Sequence, residues 1–371
     1  MKTGYDKAVS SIVKNRDRIL EGKLNAIPFG FDRFEQYVPG IMQGISYLIT
    51  ASSGVGKTQI TKHLFLHSPI NYMINNPNAE IALKIFYFAL EESEEEFYIN
   101  LISNKLKLDY NLDIDPNDLL SRRKNTISED VLAKIHTTEE YFNKFKQWVE
   151  VVDNIYNPFG IFKYVREYAR NNGKYYLDGK EVDPSKHSDA NKPAFDKYVP
   201  NNPDEYVIVI VDHMGLFSYS EEDTLHSAMS KWSADYCRKQ LSKHYKYVCV
   251  NVQQQMGDQE KQQFTFRGDN IINKVKPSLN GLADNKLCQR DHFVVLGLFA
   301  PDRYGVDEYE GYNINLLKDN FRSLSILKNR IGIPNKEVPL YFDGATNIFK
   351  ELPKSEDMNY TMYKQIENKQ F

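Results

Sequence analysis

The sequence is short of cysteine and short of any excess of charge. Its three cysteines (Cys237, Cys249 and Cys288) are widely spaced and odd in number, each in or near an apolar stretch. That pattern excludes a disulfide framework and fits buried thiols in a reducing cytoplasm. The formal net charge is −3, which offers no broad electrostatic ground for binding nucleic acid, so any such binding has to come from a local patch. No apolar run approaches the length of a membrane span, and the start, MKTGYDKAVSSIVKNRDR, lacks the continuous apolar core of a secretion signal. The expectation is a soluble, cytoplasmic protein without membrane contact. What is present is globular: 371 residues, 41% hydrophobic and 26% charged, are enough for two or three domains or for one large α/β sheet.

The chain begins with an amphipathic stripe. Tyr5, Ala8, Val9, Ile12, Val13, Ile19 and Leu20 recur at helical spacing, Thr3 with Asp6 forms a capping box, and Gly22 supplies a stop. From residue 45 onward apolar strands alternate with helical segments. Strands are expected at 45–50, 83–89, 148–152, 206–211, 247–252, 293–299, 323–328 and 338–342, and helices at 57–67, 94–106, 129–147, 158–171 and 224–245. This alternation predicts a largely parallel sheet with helices on its faces. The run IVIV at 208–211 has no polar alternation, as a central strand buried on both sides requires. Residues 173–205 break the rhythm and read as a surface insertion, with Asp178-Gly179 suited to a two-residue hairpin turn. The domain reading is an N-terminal helical arm (1–24), a large α/β domain (25–353) and a frayed polar tail (354–371).

The chemistry is concentrated in ITASSGVGKTQITKHLFL, residues 49–66. A bare Gly-Lys-Ser/Thr occurs by chance in roughly one chain of this length in five, so the surroundings have to carry the argument. Here a strand runs directly into the loop and a helix starts at Lys57, which turns backbone N–H groups and a helix N-terminus toward an anion. Ser53, Gly54, Val55, Gly56, Lys57 and Thr58 then cradle a nucleotide's phosphates, with Lys57 on the β- and γ-phosphates and Thr58 on Mg²⁺. Ala51 stands where the usual pattern has glycine, and fits if its φ is negative.

Asp212, at the end of the buried strand VIVIVD, is the second acid for the Mg²⁺ shell, since an unpaired carboxylate there would be costly. Glu91, in FYFALEES, is placed to orient water, while Glu92, Glu94, Glu95 and Glu96 read as a solvated helix start. His63 and His67 lie at i, i+4 but lack the glutamate of a metalloprotease motif, and read as structural.

Together these motifs resemble the motor domain of DnaB-type replicative helicases, a branch of the RecA-like ATPases. IPFGFDRF (27–34) is similar to that family's lead-in, and the family commonly has alanine at the position of Ala51. The resemblance assigns Glu91 as catalytic glutamate and Asp212 as Walker B aspartate. In VCVNVQQQ it assigns Gln253, with Gln254 as the alternative, as the γ-phosphate sensor. In ILKNRIG it assigns Lys328 and Arg330 as a basic finger reaching a neighbouring subunit's phosphate. It implies a RecA-like, mostly parallel sheet with an N-terminal linker-type helix, ATP and Mg²⁺ as cofactors, and a ring, expected to be a hexamer. It also implies 5′→3′ translocation on single-stranded DNA with duplex unwinding, and a primase or helicase loader as partner. The residue usage, rich in Lys, Asn, Ile and Tyr, matches an AT-rich genome such as a bacteriophage's. The family's collar domain has no counterpart in the arm 1–24. The DNA-facing loops, QQQMGDQEKQQFTFRGDNIINKVK (253–276), are rewritten relative to the family; Arg267, Lys274 and Lys276 are the candidate DNA contacts. A strand-exchange recombinase, or an ATP-switched loader without unwinding, remains as an alternative.

Overall fold

The computed structural model describes residues 3–123, 126–184, 195–256, 275–368 and 371. After an N-terminal helix α1 (Gly4–Leu20), the chain lays down β1 (Ser46–Ala51), β2 (Ala82–Ala89) and β3 (Val149–Val152). It then makes β4 (Gly173–Leu177), β5 (Lys180–Val182) and β6 (Lys197–Pro200) before returning with β7 (Glu205–Asp212), β8 (Val248–Gln254) and β9 (Val294–Phe299). A small hairpin, β10 (Glu308–Tyr309) and β11 (Tyr312–Asn313), precedes β12 (Phe321–Asn329), β13 (Glu337–Asp343) and β14 (Ile348–Glu351).

Nine of these strands form one sheet in the order β14-β13-β12-β9-β1-β8-β7-β2-β3. From β9 to β3 the pairs are parallel, whereas β12, β13 and β14 are added antiparallel at one side. The unbroken apolar run of β7 is buried on both faces. Tyr206, Ile208 and Ile210 enter one core cluster, and Val207, Val209 and Val211 enter the cluster on the opposite face. The strand period of two therefore divides one apolar run between two helical layers.

A buried polar chain crosses the second layer. Trp232 Nε1 donates to Asn251 Oδ1 at 2.7 Å, and Asn251 Nδ2 lies 2.7 Å from His292 Nε2. His292 Nδ1 faces the Cys288 carbonyl at 2.7 Å. A carbonyl only accepts, so the proton sits on Nδ1 and Nε2 accepts from Asn251. Burial holds the His292 pKa down to about 4, which keeps this tautomer neutral.

Several elements depart from the sequence reading. The helix after the phosphate loop was expected to stop at 67, before Pro69. Instead a π turn (His63–His67) leads into a further helix, Ser68–Asn75. Proline gives no N–H to the ladder, and the wider turn absorbs the missing bond. The helix expected over 129–147 is two, Glu129–Thr137 and Glu139–Trp148, broken at Thr138, whose hydroxyl donates to the Ile135 carbonyl.

The 173–205 segment is more than a loop. β4 and β5 turn through Asp178 (φ 51) and Gly179 (φ 77), as the Asp-Gly pair predicts, and β6 pairs on the other side of β4. Tyr175 and Tyr198 from this small sheet are buried against Tyr245. The tail is not frayed. Asn359 caps the helix Tyr360–Glu367, Ile366 is fully buried with Leu317, Phe321 and Leu352, and Phe371 packs on Tyr341. Its apolar residues are sparse but fall on one face, which is enough for docking.

Candidate nucleotide site

The ends of β1, β2, β7 and β8 converge at the C-terminal edge of the parallel strands. Ala51 keeps extended strand backbone, paired to Gln254, so the missing glycine costs nothing there. The turn that follows does need glycine: Gly54 has φ +66 and Gly56 has φ +111. Lys57 opens the next helix, is 9% exposed, and donates from Nζ to the Ser52 carbonyl at 3.3 Å. A cavity of about 240 Å³ lies over this loop, walled by Ser53, Gly54, Lys57, Thr58, Glu91, Asp212, His213 and Gln254 among others. The bulky part of Val55 turns away into the core.

Asp212 is 2% exposed and its two oxygens have different partners. Thr58 Oγ1 donates to Oδ1 at 3.2 Å, and the Tyr87 hydroxyl donates to Oδ2 at 2.6 Å. The carboxylate raises the Tyr87 pKa well above its ordinary value, second to burial itself. A buried acid whose hydrogen-bond partners are two hydroxyls suits a divalent cation beside Thr58. No group of three or more His, Cys, Asp or Glu that could hold a metal occurs among the described residues. Mg²⁺ usually keeps several waters and takes one or two carboxylates plus substrate phosphates, which Thr58 and Asp212 would suit.

Glu91 is 62% exposed at the cavity rim, with a carboxylate oxygen 3.8 Å from His213 Nδ1. Glu92 was expected to be solvated but is not. It is paired with Lys62, which itself lies 4.5 Å from the Phe97 ring centroid, and it accepts from Asn100. Burial pushes its pKa up while Lys62 pulls it down. Glu92 also lines the cavity, but its carboxylate is paired with Lys62 and Asn100, whereas that of Glu91 is exposed at the rim.

Of the two candidate glutamines, Gln254 lines the cavity and Gln253 does not. Gln253 is fully buried, and its amide donates to the carbonyls of Ala283 and Asn285. Strand alternation turns Gln254 to the cavity wall instead. The sequence reading missed three further residues. His213 holds φ 87 and ψ 92, a conformation costly for a side chain of its size, immediately after Asp212. Arg303 donates from Nη1 to the Ser53 carbonyl, over Gly54. Arg322 is 1% exposed, donates from Nε to the Val55 carbonyl at 2.8 Å, and pairs with Asp319 at 2.9 Å. Two arginines thus hold loop carbonyls turned away from the anion position. Only His213 had a readable signal, its place beside a strand-end acid; nothing in the sequence around Arg303 or Arg322 sets them apart.

Lys328 and Arg330 are not part of this cavity. β12 is antiparallel to β9, and Arg330 N donates to the Phe293 carbonyl just as Phe293 N donates to Ser46 O. Arg330 is therefore level with the start of β1, six residues or ~20 Å from the phosphate loop at ~3.3 Å per residue. Gly332, which completes that motif, is a close approach: a Cβ there would sit 2.3 Å from the Tyr37 carbonyl oxygen.

Of the expected DNA contacts, Arg267 and Lys274 lie outside the described residues. Lys276 is described, but it is committed elsewhere: it pairs with Glu337 at 3.0 Å and lies over the Tyr309 ring. His63 and His67 are structural, as expected: His63 stacks on Phe31, and burial lowers their pKa values to about 4 and about 3. The three cysteines are buried and unbridged. No described helix is long and apolar enough to cross a membrane.

No protein-family model and no curated protein matches the sequence. Solved structures do. One described as "ATPase Domain of G40P" superposes with a TM-score of 0.66 at 18% identity, over 95% of this chain and 100% of that one. A DnaB-like replicative helicase, solved in a study of its interactions with primase, gives 0.63 at 17% identity, over 95% of this chain and 68% of that one. The chain has the RecA-like α/β fold, in the form found in the ATPase part of a DnaB-like helicase.

Proposed function

We propose that the chain is an ATP-hydrolysing motor that assembles head to tail, as a ring of the hexameric kind, and moves along single-stranded DNA to unwind duplex in the 5′→3′ direction. The observation that carries this reading is the separation of two half-sites. The phosphate loop, Asp212 and Glu91 lie at one edge of the sheet, while Lys328 and Arg330 lie at the other. A basic finger ~20 Å from its own phosphates serves the nucleotide of the next copy.

In this mechanism the loop N–H groups and Lys57 bind the phosphates, held in register by Arg303 and Arg322. Thr58 and Asp212 would hold Mg²⁺, which when bound would neutralise charge on the phosphate oxygens. Glu91 orients the attacking water and Gln254 faces the γ-phosphate position. Gln253 and Gln255 grip the segment that follows residues 257–274 through Ala283, Asn285 and Ser278. A shift at Gln254 on loss of the γ-phosphate is therefore passed to residues 257–274. The proposed DNA contacts there are Arg267 and Lys274.

A second reading, an ATP-switched loader without unwinding, is favoured by one observation: Lys276 is held by Glu337 rather than presented to DNA. The deciding measurement is ATP turnover with and without single-stranded DNA, with Lys57→Ala as control. We expect stimulation by DNA, and no turnover in the variant. Turnover that ignores DNA in an assembled ring would favour the loader. Turnover in Lys57→Ala within a few-fold of wild type would overturn the nucleotide assignment itself.

A further inference from the structure

A second cavity, about 570 Å³, opens at the edge of the sheet opposite the phosphate loop. Gly44, Lys246 and Phe293, which precede β1, β8 and β9, form its floor, and Arg238, Lys239, Ser242 and Lys243 line it from one helix. Several uncommon features meet there. That helix, Lys231–Tyr245, is π-helical over 15 residues and ends on Lys246 in the left-handed conformation, φ 64. π-helical turns are rare, and those set within helices are frequently at functional sites. Ser242 is 1% exposed, and its hydroxyl has no hydrogen-bond partner among the described residues.

The charge is one-sided. Asp291 is the only acid lining the cavity among the described residues, and it is already occupied by Arg238 at 3.4 Å and by the Ser233 hydroxyl at 2.9 Å. Lys239 is paired outside, with Asp235. Lys243 and Lys246 have no acid partner among the described residues. A buried hydroxyl without a partner costs free energy unless something fills it, and unpaired lysines around a concave wall favour a compact polyanion. The volume is within the range of small-ligand sites.

We propose that this cavity binds a polyphosphate chain, with Lys243, Lys246 and Arg238 on its oxygens and Ser242 as the buried donor. Two sources present that chemistry: free pyrophosphate or nucleotide, or the nucleotide held by a neighbouring copy, whose approach to this edge rests on the ring reading above. The first arm of the test needs no ring. Pyrophosphate is titrated calorimetrically into Lys57→Ala protein at low ionic strength, then into the same protein carrying Lys243→Gln and Lys246→Asn. The asparagine tolerates the left-handed backbone, and melting temperatures check the fold.

One saturable site per chain, weakened tenfold or more by the pair of substitutions, establishes the site with a free ligand. In the second arm the same pair is placed in otherwise wild-type protein. A KM for ATP turnover raised at least fivefold, with ATP binding by the dilute chain unchanged, assigns the site to the neighbour's nucleotide. If pyrophosphate shows no saturable binding, or binds equally to both proteins, and KM is also unmoved, the proposal is overturned.

Discussion

Burial brings the Lys328 pKa down to about 8, helped by the positive field of Arg330 and, more weakly, Arg238, with Asp291 opposing. Its ammonium donates to the Gln289 carbonyl. The unfolded chain keeps this proton up to about 10.5, so between about 8 and 10.5 the unfolded state holds more protons than the folded one. By linkage, Lys328 then makes the fold more stable as pH rises through that window. Function runs the other way, because a finger for phosphate has to be charged. We expect turnover by the assembled protein to fall from pH 7.5 to 9.5, and the fall to be absent in Lys328→Arg, whose guanidinium stays protonated. Superimposable profiles for the two proteins would remove Lys328 from the shared site.

The glutamines of β8 show where residue-level reading stops. A run such as VCVNVQQQ is buried on both faces, so its polarity carries no phase, and only the strand register tells which glutamine faces the cavity. Gln254→Ala is expected to slow turnover at least tenfold with an unchanged melting temperature. Gln253→Ala strips the Ala283 and Asn285 carbonyls of a donor inside the core and should cost about 1–3 kcal/mol of stability. If thermal unfolding is lowered by Gln254→Ala and not by Gln253→Ala, the phase has been read the wrong way.

Among elements, those with one strong period were legible: the parallel strands, the capped helix Glu94–Tyr110 with its Ser93–Glu96 box, and α1 with its Thr3–Asp6 box. The tail helix and the 173–205 sheet were not, because each buries only a few side chains, and a few apolar residues in a polar segment carry no period. α1 is the converse case, a clear stripe with nothing among the described residues to cover it. It has no buried residue; Val9, Ile12, Val13, Ile19 and Leu20 remain 39–70% exposed. Its C-terminal part is tied down, through Arg18 to Asp204, Asn25 and the Leu24 carbonyl, and through the Asn15 carbonyl, which accepts from Asn25 Nδ2. Full burial of those five side chains would contribute at most ~7–15 kcal/mol gross, at ~1.5–3 each. The subunit core makes no use of it, so removing residues 1–22 should leave the melting temperature of the dilute chain within a few degrees. Assembly should suffer instead, with light scattering across concentrations showing monomers or weak oligomers. A truncated protein that keeps the wild-type assembly mass would mean the ring is held by the sheet-bearing bodies alone.

At the scale of the whole molecule, topology decides what the motifs can do together. The resemblance named Glu91, Asp212, Lys328 and Arg330 as parts of one reaction, but residue order says nothing of where strands end. The antiparallel turn of β12 against β9 puts the finger at the far edge, so a single copy holds two incomplete sites. In the proposed assembly, head-to-tail contact would join the finger edge of one copy to the phosphate edge of the next, and closure of that contact would make a ring. A finger of this type is worth ~10³–10⁵ in rate, which makes complementation a sensitive measurement. Arg330→Ala and Glu91→Ala proteins should each be nearly inactive alone. Mixed at equal amounts, a fraction of interfaces pairs an intact phosphate edge from the Arg330→Ala copy with an intact finger from the Glu91→Ala copy, and those interfaces should turn over ATP. Activity of the mixture should rise with the product of the two fractions and peak near equal amounts. Mixtures that co-assemble, by mass, yet never exceed either variant alone would show that Arg330 acts on something other than a neighbour's phosphate.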